Sequence, residues 1–249
     1  MNDNIFSDRT ALVTGGARGI GRSICEMLAE YGARVAVNYE RNEQAARETL
    51  ELIENSAADA MIVQADVANQ EQVGRMTTAV RERLGPIDLL VNNAGIANST
   101  PHDELAFADW KRMFEVNVDG PFLTTWAVKD EMISRQYGRI VNISSLAGIK
   151  IKGRMISYAT TKSALISFTR HCAEAFAPYN IRVNCVAPGL TNTELARSAN
   201  PDLVGHLISI TPMGRIGEPE EIASVVKFLL SDDSSFVTGQ TVPACGGRC

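Results

Sequence analysis

The sequence predicts an α/β protein, with one domain built on a doubly wound parallel sheet of about seven strands and helices on both faces. Short β-branched or apolar runs alternate with longer amphipathic stretches along nearly the whole chain, which is typical of stacked βαβ units. The 249 residues include 45% hydrophobic and 21% charged residues, and no linker rich in Pro, Ser or Gly divides them, so one core is expected for residues 1–249. Because crossovers between parallel strands are right-handed, the loops that follow the strands should line one crevice.

Seven short runs are predicted as strands because β-branched or apolar residues dominate them and turn-forming residues bound them. The first precedes a glycine-rich loop, and the seventh lies near the end of the chain. In chain order, the predicted strands are Ala11–Thr14, Arg34–Asn38, Ala60–Ala65, Leu89–Asn92, Arg139–Ile143, Arg182–Ala187 and Thr241–Pro243.

The longer stretches between these runs are amphipathic, and several have Pro or Gly at their ends. They supply the crossovers that parallel strands need. In chain order, the predicted helices are Gly19–Glu30, Glu43–Asn55, Gln70–Leu84, Ala108–Ile133, Met155–Ala177 and Pro219–Leu230.

The net charge and the hydropathy of the chain limit the kinds of molecule that the protein is expected to bind. The formal net charge is −5 and no run of Lys or Arg occurs, which argues against a nucleic-acid surface or an anionic-membrane anchor. No segment approaches the ~20 apolar residues of a membrane span, and Met1–Asn4 lacks the apolar core of a signal peptide. We therefore expect a cytoplasmic protein that binds a small molecule, with no nucleic acid and no membrane.

Cysteine and histidine spacing predicts no metal site. The five cysteines lack Cys-x-x-Cys spacing, and the three histidines form neither His-x-x-x-His nor His-Glu-x-x-His. Zinc sites and disulfide frameworks depend on such spacing. Reduced, mostly buried thiols are expected.

The loop after the first predicted strand is rich in glycine. Thr14 to Gly21 contains Gly15, Gly19 and Gly21 in the pattern Gly-x-x-x-Gly-x-Gly, which would let backbone amides approach a pyrophosphate at the positive end of the next helix. The pattern differs from Gly-x-Gly-x-x-Gly, and a bare glycine turn is the alternative. The strand before and the helix after favour phosphate binding.

Tyr158 and Lys162 lie four positions apart in a predicted helix, thirteen residues after Ser145. Residues four apart share a helix face, so the ammonium group is expected to lower the pKa of the phenol from its usual value near ~10. A tyrosine tuned in this way can pass protons near neutral pH. Each residue alone could be an ordinary helix or turn residue, but together they indicate hydride-transfer chemistry.

Three motifs in this order, Thr-Gly-x-x-x-Gly-x-Gly, Asn92-Asn93-Ala94-Gly95 and Tyr-x-x-x-Lys, resemble the short-chain dehydrogenase/reductase family. The resemblance covers nearly the whole chain and implies a Rossmann-type fold. The stretches Pro212–Arg215 and Gly217–Glu221 are similar to those of acyl-carrier-protein reductase-like members.

The resemblance also implies roles for individual residues. Tyr158 would exchange the proton of the substrate oxygen, Ser145 would hydrogen-bond that oxygen, and Lys162 would bind the nicotinamide ribose. Asn117 matches the asparagine that holds a water molecule in a proton relay. Ser144 is the alternative to Ser145, but the alternation of side chains at the strand exit favours Ser145.

The cofactor-binding residues that the resemblance implies follow the predicted strands. Asp66 has a second interpretation, as a helix N-cap. The set is Gly15, Arg18, Gly19, Ile20, Gly21, Tyr39, Arg41, Asp66, Val67, Asn93, Ala94, Gly95, Tyr158, Lys162, Pro188, Gly189, Thr191 and Thr193.

The cofactor itself is predicted from the second strand and the glycine loop. Tyr39 stands where NAD-dependent relatives place Asp, and Arg18 precedes Gly19 as in many NADP-dependent ones. Arg18 and Arg41 could form a fork around a 2′-phosphate. Glu40 could instead contact the ribose, so NADP(H) is favoured and NAD(H) stays open.

The substrate class and the oligomeric state are predicted from the resemblance and from departures from it. Carrier-protein reductases of this family present arginines at the positions of Gln136 and Tyr179, and Arg135 and Arg170 are only approximate substitutes here. A small ketone, an alcohol or a CoA thioester is therefore at least as well supported as a carrier-bound acyl chain. Residues 191–211 are predicted to be a substrate lid, and a homotetramer is expected from the resemblance.

The leading hypothesis is an NAD(P)(H)-dependent reductase of ketones or dehydrogenase of secondary alcohols. The second is a 3-oxoacyl reductase of fatty acid synthesis that acts on carrier or CoA thioesters. The third is a dinucleotide-sensing scaffold without catalysis. Such scaffolds often lose the tyrosine or the lysine, and this chain keeps Tyr158 and Lys162.

Overall fold

The computed structural model describes residues 4–54, 58–151, 153–197 and 200–248. A seven-stranded sheet has the order β3-β2-β1-β4-β5-β6-β7, and its strand pairs are all parallel. The predicted α/β class is confirmed. The chain order reverses between β1 and β4, which is the switch point at which doubly wound sheets open a binding crevice.

The seven predicted strands are present, with ends that differ by one or two residues. The central strands β4, β5 and β6 are buried along their whole length, because helices cover both faces of a parallel sheet. The strands are β1 Thr10–Val13, β2 Arg34–Tyr39, β3 Ala60–Gln64, β4 Ile87–Asn92, β5 Gly138–Ile143, β6 Ile181–Pro188 and β7 Thr241–Ala244.

Five of the six predicted helices are present as single helices, and the stretch predicted over 108–133 is divided between α4 and α5. Two short helices that were not predicted, α7 and α8, lie among the described residues of the segment 191–211. The predicted end of the second helix, Asn55, lies outside the described residues. The helices are α1 Gly19–Glu30, α2 Glu43–Glu54, α3 Gln70–Leu84, α4 Phe107–Phe114, α5 Gly120–Arg135, α6 Ile156–Phe176, α7 Glu194–Arg197, α8 Pro201–Ser209 and α9 Pro219–Leu230.

The single helix predicted over 108–133 is wrong in one respect. A π-helical segment, Glu115–Asp119, separates α4 from α5. Pro121 has no N–H to donate to the carbonyl of Asn117, so the regular hydrogen-bond ladder cannot run through this point. π-Helical turns inside α-helices are frequent at functional sites, and this one contains Asn117.

Two apolar cores lie on opposite faces of the sheet. One includes Ile24 and Leu28 of α1 and Val226 and Leu230 of α9. The other includes residues of α3, α5 and α6, with Met132 among them. The arrangement confirms that helices cover both faces.

The four cysteines among the described residues are in two different states. Cys25, Cys172 and Cys185 are free and buried, as expected. Cys245 is disulfide-bonded, so the expectation of reduced thiols is wrong for this residue.

In residues 4–54, 58–151, 153–197 and 200–248, no helix is both long and apolar enough to cross a membrane. Over the same ranges, no group of three or more His, Cys, Asp or Glu side chains is arranged to hold a metal ion.

Candidate active site

The predicted site residues come from loops at one edge of the sheet. The glycine loop links β1 to α1, Asp66 and Val67 follow β3, and Asn93 to Gly95 follow β4. Carboxyl ends of parallel strands meet at one edge, so the topology brings these segments together there. Ser145 follows β5, and the segment that begins at Gly189 follows β6.

The glycine loop needs its glycines for steric reasons. Gly15 and Gly19 have φ values of +61° and +53°, which side chains disfavour. A Cβ on Gly21 would lie 2.2 Å from the Gly15 carbonyl oxygen, so only glycine fits there. The loop leads into α1, whose first turn contains no acidic residue, and the first N–H groups of a helix attract anions.

Polar side chains that were not predicted hold the glycine loop in place. The Thr14 hydroxyl accepts hydrogen bonds from the backbone N–H groups of Asn93 and Ala94, both at 3.0 Å. The Asn38 side-chain oxygen accepts from the Gly15 N–H at 3.2 Å. The signal in the sequence that could have revealed these residues is the presence of Thr and Asn at strand ends next to the glycine loop.

Asn93 also contributes to this support. Its amide donates to the carbonyl oxygens of Thr14 and Gly15 at 3.0 and 2.9 Å. The side-chain amide of Asn93 therefore holds the glycine loop against the end of β4.

Ser145 and Ser144 point to different partners. Ser145 lies close enough to Tyr158 to lower the pKa of its phenol, and Ser145 Oγ accepts from the Ala147 N–H at 3.1 Å. Ser144 is buried, and its hydroxyl donates to the Lys162 carbonyl oxygen at 2.8 Å. Of the two serines, Ser145 is the one that acts on the phenol of Tyr158.

The pKa of Tyr158 is raised above its ordinary value, mainly because the phenol is buried, while the nearby Ser145 side chain acts in the opposite direction. The lowering that the spacing to Lys162 predicted is therefore wrong for this structure. Lys162 Nζ lies 5.8 Å from the centroid of the Tyr158 ring and donates to the Ile143 carbonyl oxygen at 2.8 Å. Desolvation of the phenol dominates.

Burial also controls Lys162. The side chain is 4% exposed, and burial lowers the pKa of its ammonium group to about 8, with an opposing contribution from Cys185. A buried cation with a single backbone acceptor is costly, and a lowered pKa is the usual response.

Asn117 is fully buried in the π-helical segment. Its side-chain oxygen accepts from the Ile96 N–H and its amide donates to the Ile96 carbonyl oxygen, both at 2.9 Å. The amide also donates to Thr161 Oγ1 at 3.1 Å. Asn117 thus ties the loop after β4 to α6, through a threonine that was not predicted.

Gly95 lies next to the side chains of both Asn117 and Lys162. A Cβ built on Gly95 would lie 3.1 Å from Asn117 Oδ1 and 3.3 Å from Lys162 Nζ. Both polar groups therefore face one point beside Gly95, and a side chain there would crowd them.

The end of β2 carries the residues predicted to face the adenosine. Tyr39 is 8% exposed and belongs to a small apolar cluster with Ala17 and Ala46. Arg41 is 84% exposed and pairs with Glu40 at 2.9 Å.

Arg112 on α4 was not predicted and lies at the same edge. It pairs with Asp66 at 3.1 Å and approaches Glu40 at 3.9 Å. Asp66 also accepts from the Ala68 N–H at 2.9 Å. The N-cap of α3 is Asn69, which accepts from the Gln72 N–H, so the N-cap alternative for Asp66 is wrong. Carboxylates and guanidinium groups alternate along this edge.

The residues just outside the segment 191–211 are hydrogen-bonded to the C-terminal part of the chain, and the start of the segment contacts the glycine loop. The Gly189 N–H donates to the Ala244 carbonyl oxygen at 2.8 Å, and the Met213 N–H donates to the Gly246 carbonyl oxygen at 3.1 Å. At its start, Thr193 Cγ2 lies 3.2 Å from the position of a Cβ on Gly19. The segment therefore begins directly against the glycine loop.

The doubly wound fold and this site define an NAD(P)-dependent oxidoreductase that acts on alcohol or ketone carbons. The chain belongs to the short-chain dehydrogenase/reductase family, since residues 9–204 match the family model for short chain dehydrogenases. The fold is of the Rossmann type.

Similar proteins include reductases of several substrates. A 3-oxoacyl-[acyl-carrier-protein] reductase of Aquifex aeolicus is 36% identical over 96% of this chain and 96% of its own length. An acetoacetyl-CoA reductase of Allochromatium vinosum is 37% identical over 96% of this chain and 98% of its own. A Brucella melitensis 3-oxoacyl-[acyl-carrier protein] reductase solved with bound NAD has a TM-score of 0.90 and 36% identity, and covers 99% of this chain and 93% of that one.

Proposed function

We propose that the protein transfers hydride between NADP(H) and a ketone or secondary alcohol, with Ser145, Tyr158 and Lys162 as catalytic residues and Asn117 in a proton relay. The observation that carries the proposal is that the buried Lys162 places its Nζ 5.8 Å from the centroid of the Tyr158 ring, with Ser145 close enough to the phenol to lower its pKa. Two adjacent hydroxyl groups beside a cation form a ready site for a carbonyl oxygen.

The residues present fit a dinucleotide. The glycine loop presents backbone without side chains at Gly15, Gly19 and Gly21, and it opens α1 without an acidic first turn. The pyrophosphate would be held here, with Asp66 and Val67 on the adenine side. The nicotinamide supplies or accepts the hydride when the dinucleotide is bound.

The catalytic residues act on charge and protons at the substrate oxygen. As a ketone is reduced, its oxygen gains negative charge, which the hydroxyl groups of Ser145 and Tyr158 stabilise more strongly in the transition state than in the ground state. The raised pKa of Tyr158 keeps its phenol protonated and ready to donate. Asn117 Oδ1 and Lys162 Nζ face one point beside Gly95, which supports a relay between them.

For the cofactor, NADP(H) remains the favoured proposal and NAD(H) stays open. Arg18 and Arg41 are both exposed, and each pairs with one carboxylate at the surface. Such pairs are weak enough to exchange their carboxylate for a phosphate.

For the substrate, a small ketone, an alcohol or an acyl-CoA thioester is favoured over a carrier-bound acyl chain. Similarity to the acetoacetyl-CoA reductase supports thioesters. Arg135, the approximate substitute for a carrier-binding arginine, donates to Asp88 and to the Ile87 carbonyl oxygen, so it is engaged within its own chain. Gln136 and Tyr179, which replace the arginines, are exposed but uncharged.

Two family expectations stay proposals. Residues 191–211 would act as a substrate lid, which the contact of Thr193 with the glycine loop supports. A homotetramer is supported by the exposed, stacked rings of Phe122 and Trp126 on α5, whose centroids lie 4.2 Å apart. The cytoplasmic location stays a prediction.

The test is reduced-nicotinamide absorbance with NADPH or NADH and a panel of ketones, diketones and acetoacetyl thioesters. Turnover of at least one carbonyl compound is expected, with a higher rate on acetoacetyl-CoA than on the carrier-bound form. Binding of the dinucleotide without turnover of any compound would favour the sensing scaffold. Preference for the carrier-bound substrate would favour the fatty-acid-synthesis alternative.

A further inference from the structure

An ion pair crosses from the glycine loop to the segment 191–211. Arg18 Nη1 lies 2.8 Å from Glu194 Oε2, and the two side chains are 65% and 63% exposed. The partners are 176 positions apart in the chain. Arg18 is also the residue that the sequence pattern assigns to a cofactor phosphate, so one guanidinium has two candidate anions.

Contacts of the preceding residue, Thr193, hold the start of α7 beside the glycine loop independently of the ion pair. Thr193 Cγ2 lies against Gly19, and the Thr193 carbonyl oxygen accepts from the Arg197 N–H at 2.9 Å. The Ala196 N–H also donates to Thr193 Oγ1 at 3.4 Å. The backbone of Glu194, the first residue of α7, therefore stays close to the glycine loop whichever anion the Arg18 guanidinium contacts.

A carboxylate in this position has a different effect on the two dinucleotides. A 2′-phosphate must share Arg18 with Glu194 or displace it, so part of the attraction between Arg18 and the phosphate is lost. NAD lacks this phosphate and leaves the pair intact. Because both partners are exposed, the effect is moderate, at about three- to fivefold in affinity.

We propose that Glu194 is a specificity-determining residue that weakens binding of the phosphorylated cofactor by holding Arg18. The inference rests on the proposed dinucleotide-dependent function and adds to it a residue that sets the balance between NADP and NAD. Glu40 forms a similar ion pair with Arg41, which would also weaken binding of a 2′-phosphate. Neither of these two residues belongs to the segment 191–211.

The test compares Glu194→Gln with the wild type by titration calorimetry, using NADP+ and NAD+ on the full chain. Glu71→Gln is the matched control, because it removes one carboxylate from an exposed arginine pair on α3. The Kd for NADP+ is expected to fall about three- to fivefold in Glu194→Gln, with the Kd for NAD+ and both values of the control unchanged. The same result is expected with 2′,5′-ADP and 5′-AMP as fragments.

A second variant tests the mechanism. In an Arg18→Gln background, Glu194→Gln is expected to leave the Kd for NADP+ unchanged, because the pair is already gone. Unchanged or weaker NADP+ binding in the single variant, equal tightening of both dinucleotides, or tightening that persists without Arg18 would overturn the inference. Wild-type protein that binds neither dinucleotide would refute the proposed function itself, whereas binding with an unaltered ratio refutes only the role of Glu194.

Discussion

Asn117 is paired with the backbone of Ile96 through both ends of its side-chain amide, at 2.9 Å each. This pair joins the π-helical segment to the loop that follows β4, next to Gly95 and Lys162. A residue predicted only for a proton relay is thus also a structural connection.

Replacement of Asn117 by Ala should therefore reduce stability as well as activity. Two partly buried hydrogen bonds to the backbone of Ile96 would be lost, which costs about 1–3 kcal/mol in the free energy of unfolding. Urea denaturation measures this, with Asn42→Ala as the control, since Asn42 accepts one exposed hydrogen bond from Ala45. A loss no larger than that of the control would contradict the structural role.

Substitution of Ser145 should affect mainly catalysis, whereas substitution of Ser144 should affect mainly stability. Ser145→Ala is expected to lower kcat by ~10²–10³, because one donor to the developing oxyanion is lost. Ser144→Ala should instead lower the free energy of unfolding by about 1 kcal/mol through loss of the buried bond to Lys162. Steady-state kinetics and thermal denaturation of both variants make the comparison, and equal losses of kcat would refute it.

Tyr158→Phe should abolish most turnover while the dinucleotide still binds. The phenol hydroxyl is the proposed proton donor, so kcat should fall by at least ~10², whereas the Kd for the dinucleotide should change less than about twofold, because the ring is retained. Stopped-flow absorbance and calorimetry measure the two quantities. Retention of wild-type kcat would end the catalytic proposal.

Stability should depend on pH through Lys162. Its pKa is about 8 in the folded protein and 10.5 as the ordinary value, so between these values the unfolded chain holds a proton that the folded chain has released. Stability must then rise with pH across this window, and the cost of burying the ammonium applies fully below it.

The measurement is the free energy of unfolding of the wild type minus that of Lys162→Met. The difference should rise by ~1–2 kcal/mol between pH 8 and about 9.5. Subtraction removes other groups that titrate in both proteins, such as Cys172. A flat or falling difference would show that Lys162 is not desolvated as the structure indicates.

Gly95→Ala should disturb the site by crowding. The new Cβ would meet Asn117 Oδ1 and Lys162 Nζ at 3.1 and 3.3 Å, so we expect kcat to fall about tenfold as either group shifts. Gly74→Ala is the control, since no atom lies within 4 Å of its Cβ position, and it should stabilise α3 by about 0.5–1 kcal/mol. Unchanged kcat in Gly95→Ala would mean that the two polar groups tolerate displacement.

Local patterns were sufficient to predict much of the molecule. The alternation of apolar runs and amphipathic stretches predicted the seven strands, because period and length are properties of neighbouring residues. The glycine-rich turn was also predicted from neighbouring residues, and Gly15 and Gly19 do adopt positive φ angles. The π-helical segment was missed, since helical periodicity on both sides of Glu115–Asp119 gives no sign of one extra residue in a turn.

Other features depend on contacts between distant parts of the chain. The sequence determined that Tyr158 and Lys162 share a helix face, but the direction of the pKa shift of Tyr158 depends on how deeply tertiary packing buries the phenol. The partners of Arg18 and Arg135 were likewise decided by the tertiary structure, because Glu194 and Asp88 are remote in sequence. Periodicity and glycine placement are local and readable along the chain, whereas desolvation and ion pairing arise only when separate segments are brought together.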